Sequence, residues 1–351
     1  MSALRAIRTF ANTSSFYRLA STTAITKSTF GCASKVLQTE TVELPELKAN
    51  QVQVSMIASP ITLFDLTAIQ GTIPCMPNNH IAGLEGAGRI TQVGSSVTGL
   101  NVNDSVVFVK PTTGTWAKEV VVDSCSLYKI PTSINPELAA GIVGAPSIAY
   151  RILNDFATLE AGDVVIQNAA NTSVGHAIVQ LCKAKGIKTI NIIPESSEYE
   201  NEFRTLETIG ADIICRETYV GTPAFKKLLS DLPAAKLAVD GMGGIVGTNT
   251  ARNIKNATLV SYADISRQAM TIPSSLLISN NVTLKGFNLY QWLENASCED
   301  VNTMMSSITS LVETDKLRVF LKKDKFSEFK NALEASTEPF ASRTILMMMQ
   351  E

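Results

Sequence analysis

Val164-Val165-Ile166-Gln167-Asn168-Ala169-Ala170-Asn171-Thr172-Ser173-Val174-Gly175 is the stretch on which the reading of this chain turns. Three consecutive β-branched apolar residues suit a strand buried on both faces, as in a parallel sheet. A polar turn from Asn168 to Ser173 ends the run, and Val174 to Lys185 carries apolar residues at helical spacing. Strand, tight turn and helix in that order gather backbone N–H groups and the positive helix end at one point, where a pyrophosphate binds in doubly wound sheets. Asn171, Thr172 and Ser173 offer amide and hydroxyl donors there, and Gly175 suits close packing of helix on strand. The turn has one glycine where dinucleotide-binding turns usually have three, so a purely structural turn fits it as well.

The same alternation continues outward. Leu138 to Phe156 reads as one helix, Thr189 to Ile193 as a second strand, and Leu237 to Val239 and Thr258 to Tyr262 as further strands. Regular alternation implies a parallel sheet with right-handed crossovers. After the second strand comes Pro194-Glu195-Ser196-Ser197, with Glu195 20 positions beyond Gly175. An acid there accepts the ribose 2′-OH of NAD, whereas an Arg receives the 2′-phosphate of NADP. Alone, Glu195 favours NAD, Ser196 could still bond a phosphate, and a solvated loop acid is the ordinary alternative. Residues 40 to 130 instead read as short strands broken by turns, a β-rich, barrel-like segment. Helices at Val301 to Val312 and around Ser327 to Ala335, then a strand from Thr344, are expected to pack back on it.

At 351 residues with 45% hydrophobic and 18% charged, the chain is long enough for about two domains and excludes disorder and coiled coil. Its apolar runs fall short of the ~18 residues of a membrane-spanning helix. Lys plus Arg, 30 against 32 Asp plus Glu, form no dense run, which argues against nucleic acid. Six scattered cysteines without a C-x-x-C pair suit free thiols, and two histidines exclude a His-rich metal site. No Asp or Glu occurs in residues 1–38, while Arg5, Arg8, Arg18, Lys27 and Lys35 do, a transit-peptide composition. A leader of about 25 residues is expected, removable without loss of folding.

Several stretches occur together in order: Pro60-Ile61, Asp65, Ile69-Gln70-Gly71, Gly83-Leu84-Glu85-Gly86-Ala87-Gly88, Gly114-Thr115-Trp116, Ala149-Tyr150-Arg151, Gly286-Phe287 with Gln291-Trp292, and Ala332 to Ser336 with Pro339-Phe340. On these, from about Val52 to Met348, the chain resembles the mitochondrial 2-enoyl thioester reductases, zinc-free medium-chain dehydrogenases/reductases. The resemblance implies an α/β chain. A transit peptide (1–25) precedes a GroES-like β-rich catalytic domain (26–145 and 291–351), split around a Rossmann-type doubly wound parallel-sheet domain (146–290). It further implies a homodimer in the mitochondrial matrix that reduces trans-2-enoyl thioesters of CoA or acyl carrier protein in fatty acid synthesis. NADPH is the implied cofactor and NADH the alternative. No zinc is implied: Leu84 stands where zinc-dependent relatives have His, and Glu85 is expected to be tied by hydrogen bonds.

By the resemblance, Asn171, Thr172, Ser173, Val174 and Gly175 form the phosphate loop, Glu195 and Ser196 face the adenosine, Tyr262 and Phe287 the nicotinamide side, and Arg343 the 2′-phosphate. The family's catalytic Tyr, however, falls on Ile73, which can donate nothing. Thr72 is the expected substitute among the hydroxyls of Thr62, Thr67, Thr72 and Tyr290. Ala145, Ile148, Ser173, Pro194, Ala263 and Asn288 also depart from the family's functional residues. NADPH is therefore expected to bind weakly with little preference over NADH. A non-catalytic paralogue that keeps the fold to bind a nucleotide, an acyl carrier or a partner is the alternative.

Overall fold

The computed structural model describes residues 20–72, 80–110, 113–196, 198–337 and 344–347. It opens with an antiparallel pair, β1 (Ser21–Lys27) and β2 (Leu37–Glu43). Then come β3 (Gln51–Ile61), β4 (Ala87–Val93), β5 (Ser105–Phe108), β6 (Glu119–Asp123) and β7 (Leu127–Lys129). β3 starts with inward Val52, Val54 and Met56 alternating with half-buried Gln51, Gln53 and Ser55, the two-residue period of a strand with one face in a core.

The next six strands are β8 (Val164–Gln167), β9 (Lys188–Ile193), β10 (Ile213–Arg216), β11 (Ala235–Asp240), β12 (Thr258–Ser261) and β13 (Thr283–Gly286). All their pairings are parallel, in the order β10-β9-β8-β11-β12-β13. Every residue of β8 is buried, as its unbroken apolar run requires of a central strand covered on both faces. The strand order reverses between β8 and β11, and in such sheets ligands bind outside the carboxyl ends at that reversal. The chain then returns through β14 (Lys322–Lys325) and β15 (Thr344–Met347), with β15 antiparallel to β3. The β-rich unit therefore has sequence from both sides of the parallel sheet, running β14-β15-β3-β4-β5-β7 with β6 also on β3.

Two expectations need revision. Leu138 to Phe156 is not one helix but two, Pro136–Ala139 and Gly144–Asp155. The break lets the Gly144 N–H reach Oε2 of Glu85 at 3.1 Å, and a β-carbon on Gly144 would collide with that carboxylate. A local sequence pattern does not register this partner. Likewise, a leader boundary at residue 25 falls inside β1, where Ala24 and Ile25 are fully buried and Thr22 nearly so. A chain starting at Ala20 is expected to remain folded. One starting at Ser28 loses β1 and the Ile25 side chain, worth ~2 kcal/mol in burial alone, and should show a lower thermal midpoint or insoluble expression. Equal midpoints for the two chains would refute this role for β1.

Candidate active site

The turn after β8 packs its helix start closely against the strand end. Thr172 caps helix Ser173–Lys185: its hydroxyl accepts the Gly175 N–H at 3.2 Å and donates to the Ala169 carbonyl at 2.8 Å. The N–H groups of Ser173 and Val174 lie in the first helical turn, where no helical carbonyl can accept them. That turn itself contains no acidic residue, although Glu202 of a neighbouring helix accepts from Asn171 just ahead of it. Gly175 is required by contact, since a β-carbon there would lie 2.5 Å from Ala170 Cα and strike its carbonyl. Asn171 donates to Glu202 at 3.0 Å, and its buried Oδ1 has no partner among the described residues. A helix end without an acid, tight loop packing and an unsatisfied amide oxygen suit an anionic nucleotide with hydroxyl donors.

Tyr262 follows β12, and its hydroxyl lies 3.3 Å from Thr172 Oγ1. The Thr172 proton is already given to Ala169, so the phenol donates to Thr172. Burial pushes that phenol up to about 12, which keeps it protonated. Phe287 comes directly after β13, half-buried and edge-on to Phe156 at 6.0 Å between ring centroids. Thr172, Tyr262 and Phe287 thus share the carboxyl edge of the sheet.

Sequence reading overlooked the floor beneath them. Asn168 Nδ2 donates to Asp240 Oδ1 at 2.7 Å, Ser261 Oγ donates to Asp240 Oδ2 at 2.9 Å, and the Gly241 N–H donates to Asn168 Oδ1 at 2.8 Å. These bonds tie the ends of β8, β11 and β12 together, while Gly243, at φ +70°, turns the chain away from the edge. The run Asp240-Gly241-Met242-Gly243-Gly244 after an apolar strand was the available signal.

At the end of β9, Glu195 is not a lone solvated acid. Its Oε2 pairs with Arg216 Nη1 at 2.9 Å, and its Oε1 accepts from Thr218 at 2.6 Å. Ser196 lies 3.5 Å from Glu202, the carboxylate that also holds Asn171. Arg343 lies outside the described residues.

Between the two units, Glu85 is 2% exposed and accepts from Gly144 N–H and from the Tyr290 hydroxyl, each at 3.1 Å. Tyr290 also meets Phe64 edge-on at 5.3 Å. Glu85 is therefore held by hydrogen bonds, and among the described residues no group of three His, Cys, Asp or Glu could hold a metal. Ile73 lies outside the described residues. The hydroxyls weighed as substitutes are all engaged: Thr62 with Asp65, Thr67 with the Phe64 carbonyl, Tyr290 with Glu85, and exposed Thr72 with the Thr67 carbonyl at 3.3 Å. Ala145 and Ile148 are buried in the core, at 6% and 2% exposure, and Ser147 Oγ beside them has no partner among the described residues.

Two titrating groups, buried Asp65 and half-buried His176, shift in opposite directions. Burial pushes the Asp65 carboxyl up to about 7, against the Thr62 and Leu84 donors that favour its charge. The folded protein thus holds this proton more tightly than the unfolded chain, whose Asp titrates near ~3.9, so the contribution is complete below that pH and lost as pH rises to about 7. Burial lowers His176 to about 4 against ~6.5 unfolded, so its contribution is complete above that value and lost as pH falls. Relative to wild type, His176→Asn should lose stability more steeply as pH rises from 4 to 6.5, and Asp65→Asn should do the reverse. Denaturation midpoints against pH check this; parallel profiles for all three proteins would refute it.

The match to known proteins is nearly full-length. Residues 48–132 match the alcohol dehydrogenase GroES-like domain. The chain is 40% identical over 324 residues to the mitochondrial enoyl-(acyl-carrier-protein) reductase of Dictyostelium discoideum, covering 91% of this chain and 93% of that one. To the protein of the same name from Rattus norvegicus it is 33% identical, covering 97% and 92%. Among solved structures, the Etr1p/NADP/crotonyl-CoA complex superposes with a TM-score of 0.86 at 24% identity, covering 94% of this chain and all 100% of that one. Escherichia coli quinone oxidoreductase complexed with NADPH gives 0.81 at 19%, covering 93% and 99%. At these identities the structural likeness establishes the fold.

Proposed function

The chain belongs to the family of mitochondrial enoyl-(acyl-carrier-protein) reductases, and from that membership we propose that it reduces trans-2-enoyl thioesters with NADPH in the mitochondrial matrix. The observation carrying this reading is the acid-free helix end and Gly175-packed turn at the strand-order reversal, set in a chain related to that family over nearly its whole length.

NADPH, when bound, supplies a hydride to the substrate β-carbon. The N–H groups of Ser173 and Val174 would hold the pyrophosphate, with Thr172 fixing the turn through its bonds to Ala169 and Gly175, and Glu195 and Ser196 would face the adenosine. Tyr262, protonated throughout the physiological range, holds Thr172 in place from the nicotinamide side. Glu85, bonded to Gly144 and Tyr290, clamps the β-rich unit to the parallel-sheet unit at the floor of the cleft. As negative charge grows on the thioester oxygen, a donor there is worth ~3 kcal/mol, and the α-carbon must take a proton. Ile73 supplies neither, and the Thr72 hydroxyl is bonded back onto its own helix end. The chain's own contribution to the reaction is then mostly positioning and exclusion of water.

The test is NADPH oxidation by the purified protein with a trans-2-enoyl-CoA. Turnover with stoichiometric saturated product is expected. NADPH binding without turnover would sink the reductase reading in favour of the non-catalytic paralogue, which Ile73, Ala145, Ile148 and Asn288 favour.

The leader is proposed to end ahead of Ser21. A homodimer is proposed through β13, whose four residues are all exposed at the end of the parallel sheet. Leu284 on it and Leu277 and Ile278 in the neighbouring helix Ser274–Ile278 form an exposed apolar strip, with Ile278 81% accessible. An unpaired edge with apolar flanks invites a second copy. Ile278→Asp is expected to shift the protein towards monomer in analytical ultracentrifugation; an unchanged dimer, or a monomeric wild type, would refute this interface.

A further inference from the structure

We propose that Arg216 is the residue that reads the adenosine 2′-phosphate of NADPH, with Glu195 as its counter-ion when no cofactor is bound. The proposal rests on the reductase reading above for the identity of the cofactor, and otherwise on the local geometry.

Arg216 ends β10, in register beside Ile193 at the end of β9. Parallel neighbours lie ~4.8 Å apart, and the adenosine ribose of a doubly wound sheet sits beyond the second strand, here β9. The guanidinium therefore stands one strand outward from the ribose, on the same carboxyl edge as the phosphate turn. Pro194 offers no charge at the position where an arginine is expected. Arg216 brings one from the adjacent strand, a step in space that the linear motif does not display.

The side chain is already oriented. Its Cζ lies 4.0 Å from the centroid of the Tyr199 ring, and Nη1 is 2.9 Å from Glu195. A stacked guanidinium is planar and pre-organised, so little further freedom is lost when it forks onto a phosphate. Five N–H donors are available to a guanidinium, and the bond to Glu195 accounts for one; the side chain remains 46% exposed. Glu195 in turn is bonded at both oxygens, by Arg216 and Thr218, so its charge is offset at the place where it would otherwise repel a phosphate.

The surroundings set a ceiling on the effect. Glu195, Glu198, Glu202 and Glu217 lie around the same edge, and the phosphate must compete with Glu195 for the guanidinium. A discrimination of about tenfold to thirtyfold is expected, the lower figure being about 1.4 kcal/mol, and it should weaken as salt rises.

Equilibrium titrations of the whole chain with NADPH, NADH, adenosine 2′,5′-bisphosphate and adenosine 5′-monophosphate test this, with thermal midpoints recorded for each variant. Arg216→Ala should weaken NADPH and the bisphosphate at least tenfold, and NADH and the monophosphate less than twofold, with little change in midpoint. Arg216→Lys should retain part of the preference as a point charge without the fork. Glu195→Gln should tighten NADPH severalfold. Equal losses for NADPH and NADH in Arg216→Ala would reduce Arg216 to a structural pair and overturn the proposal, as would no loss in either. A wild type that oxidises NADPH and NADH equally well with enoyl-CoA overturns it while leaving the reductase reading intact. A wild type that binds no dinucleotide fails both.

Discussion

Gly175→Val is expected to raise the dissociation constant for NADPH at least a hundredfold, about 2.7 kcal/mol. The added β-carbon meets Ala170 Cα at 2.5 Å, and this backbone cannot retreat. Ala170 is fully buried, its N–H is bonded to the Ile192 carbonyl at 3.2 Å, and Ala169 before it already sits at φ +51°. The helix end must move instead, carrying the Ser173 and Val174 N–H groups off the phosphate. Overpacking also costs ~1 to 3 kcal/mol of stability, so the thermal midpoint should be recorded beside the titration. A folded Gly175→Val protein that binds NADPH within threefold of wild type would remove this turn from the nucleotide site.

The other large effect is a gain. Ile73→Tyr should raise kcat for enoyl thioester reduction with little change in KM, because the restored phenol bonds an oxygen that is charged chiefly in the transition state. A well-aligned donor is worth up to ~10² to 10³ in rate. A smaller gain is expected here, since Ala145, Ile148 and Asn288 remain altered. The case for Ile73 as the weak point is stronger because the other hydroxyls considered are committed elsewhere: Thr62 to Asp65, Thr67 to Phe64, Thr72 to Thr67 and Tyr290 to Glu85. A wild-type rate near ~10 per second would show that Ile73 is no handicap. No gain in a variant that still binds NADPH would mean that the substrate geometry has gone, not merely the donor.

The parallel sheet was legible because its signals are local. Val164 to Ile166 reads as a buried strand from three adjacent side chains, and Val174 to Lys185 as a helix from apolar residues at helical spacing. The split of Leu138 to Phe156 was missed although Gly141, Gly144 and Pro146 mark a break inside the stretch; only the Gly144 contact with a carboxylate 59 positions earlier was beyond a local pattern. Glu195 was found by its spacing, yet its ordinary meaning as a ribose acceptor is altered by Arg216 and Thr218, 21 and 23 positions on.

By itself, then, the sequence determined the alternation of strand and helix, the tight turn between Gln167 and Ser173, the apolar residue at position 73 and the family resemblance. Each depends on residue identity or on patterns a few residues long, and periodicity carries that information directly. Tertiary structure alone decided that Ile25 belongs to a packed strand, that Tyr290 closes on Glu85 across 205 positions, and that Arg216 stands beside Ile193 and pairs with Glu195. Those contacts join residues far apart in the chain, and a charge or hydroxyl has its role set by the partner that folding brings within about 3 Å of it.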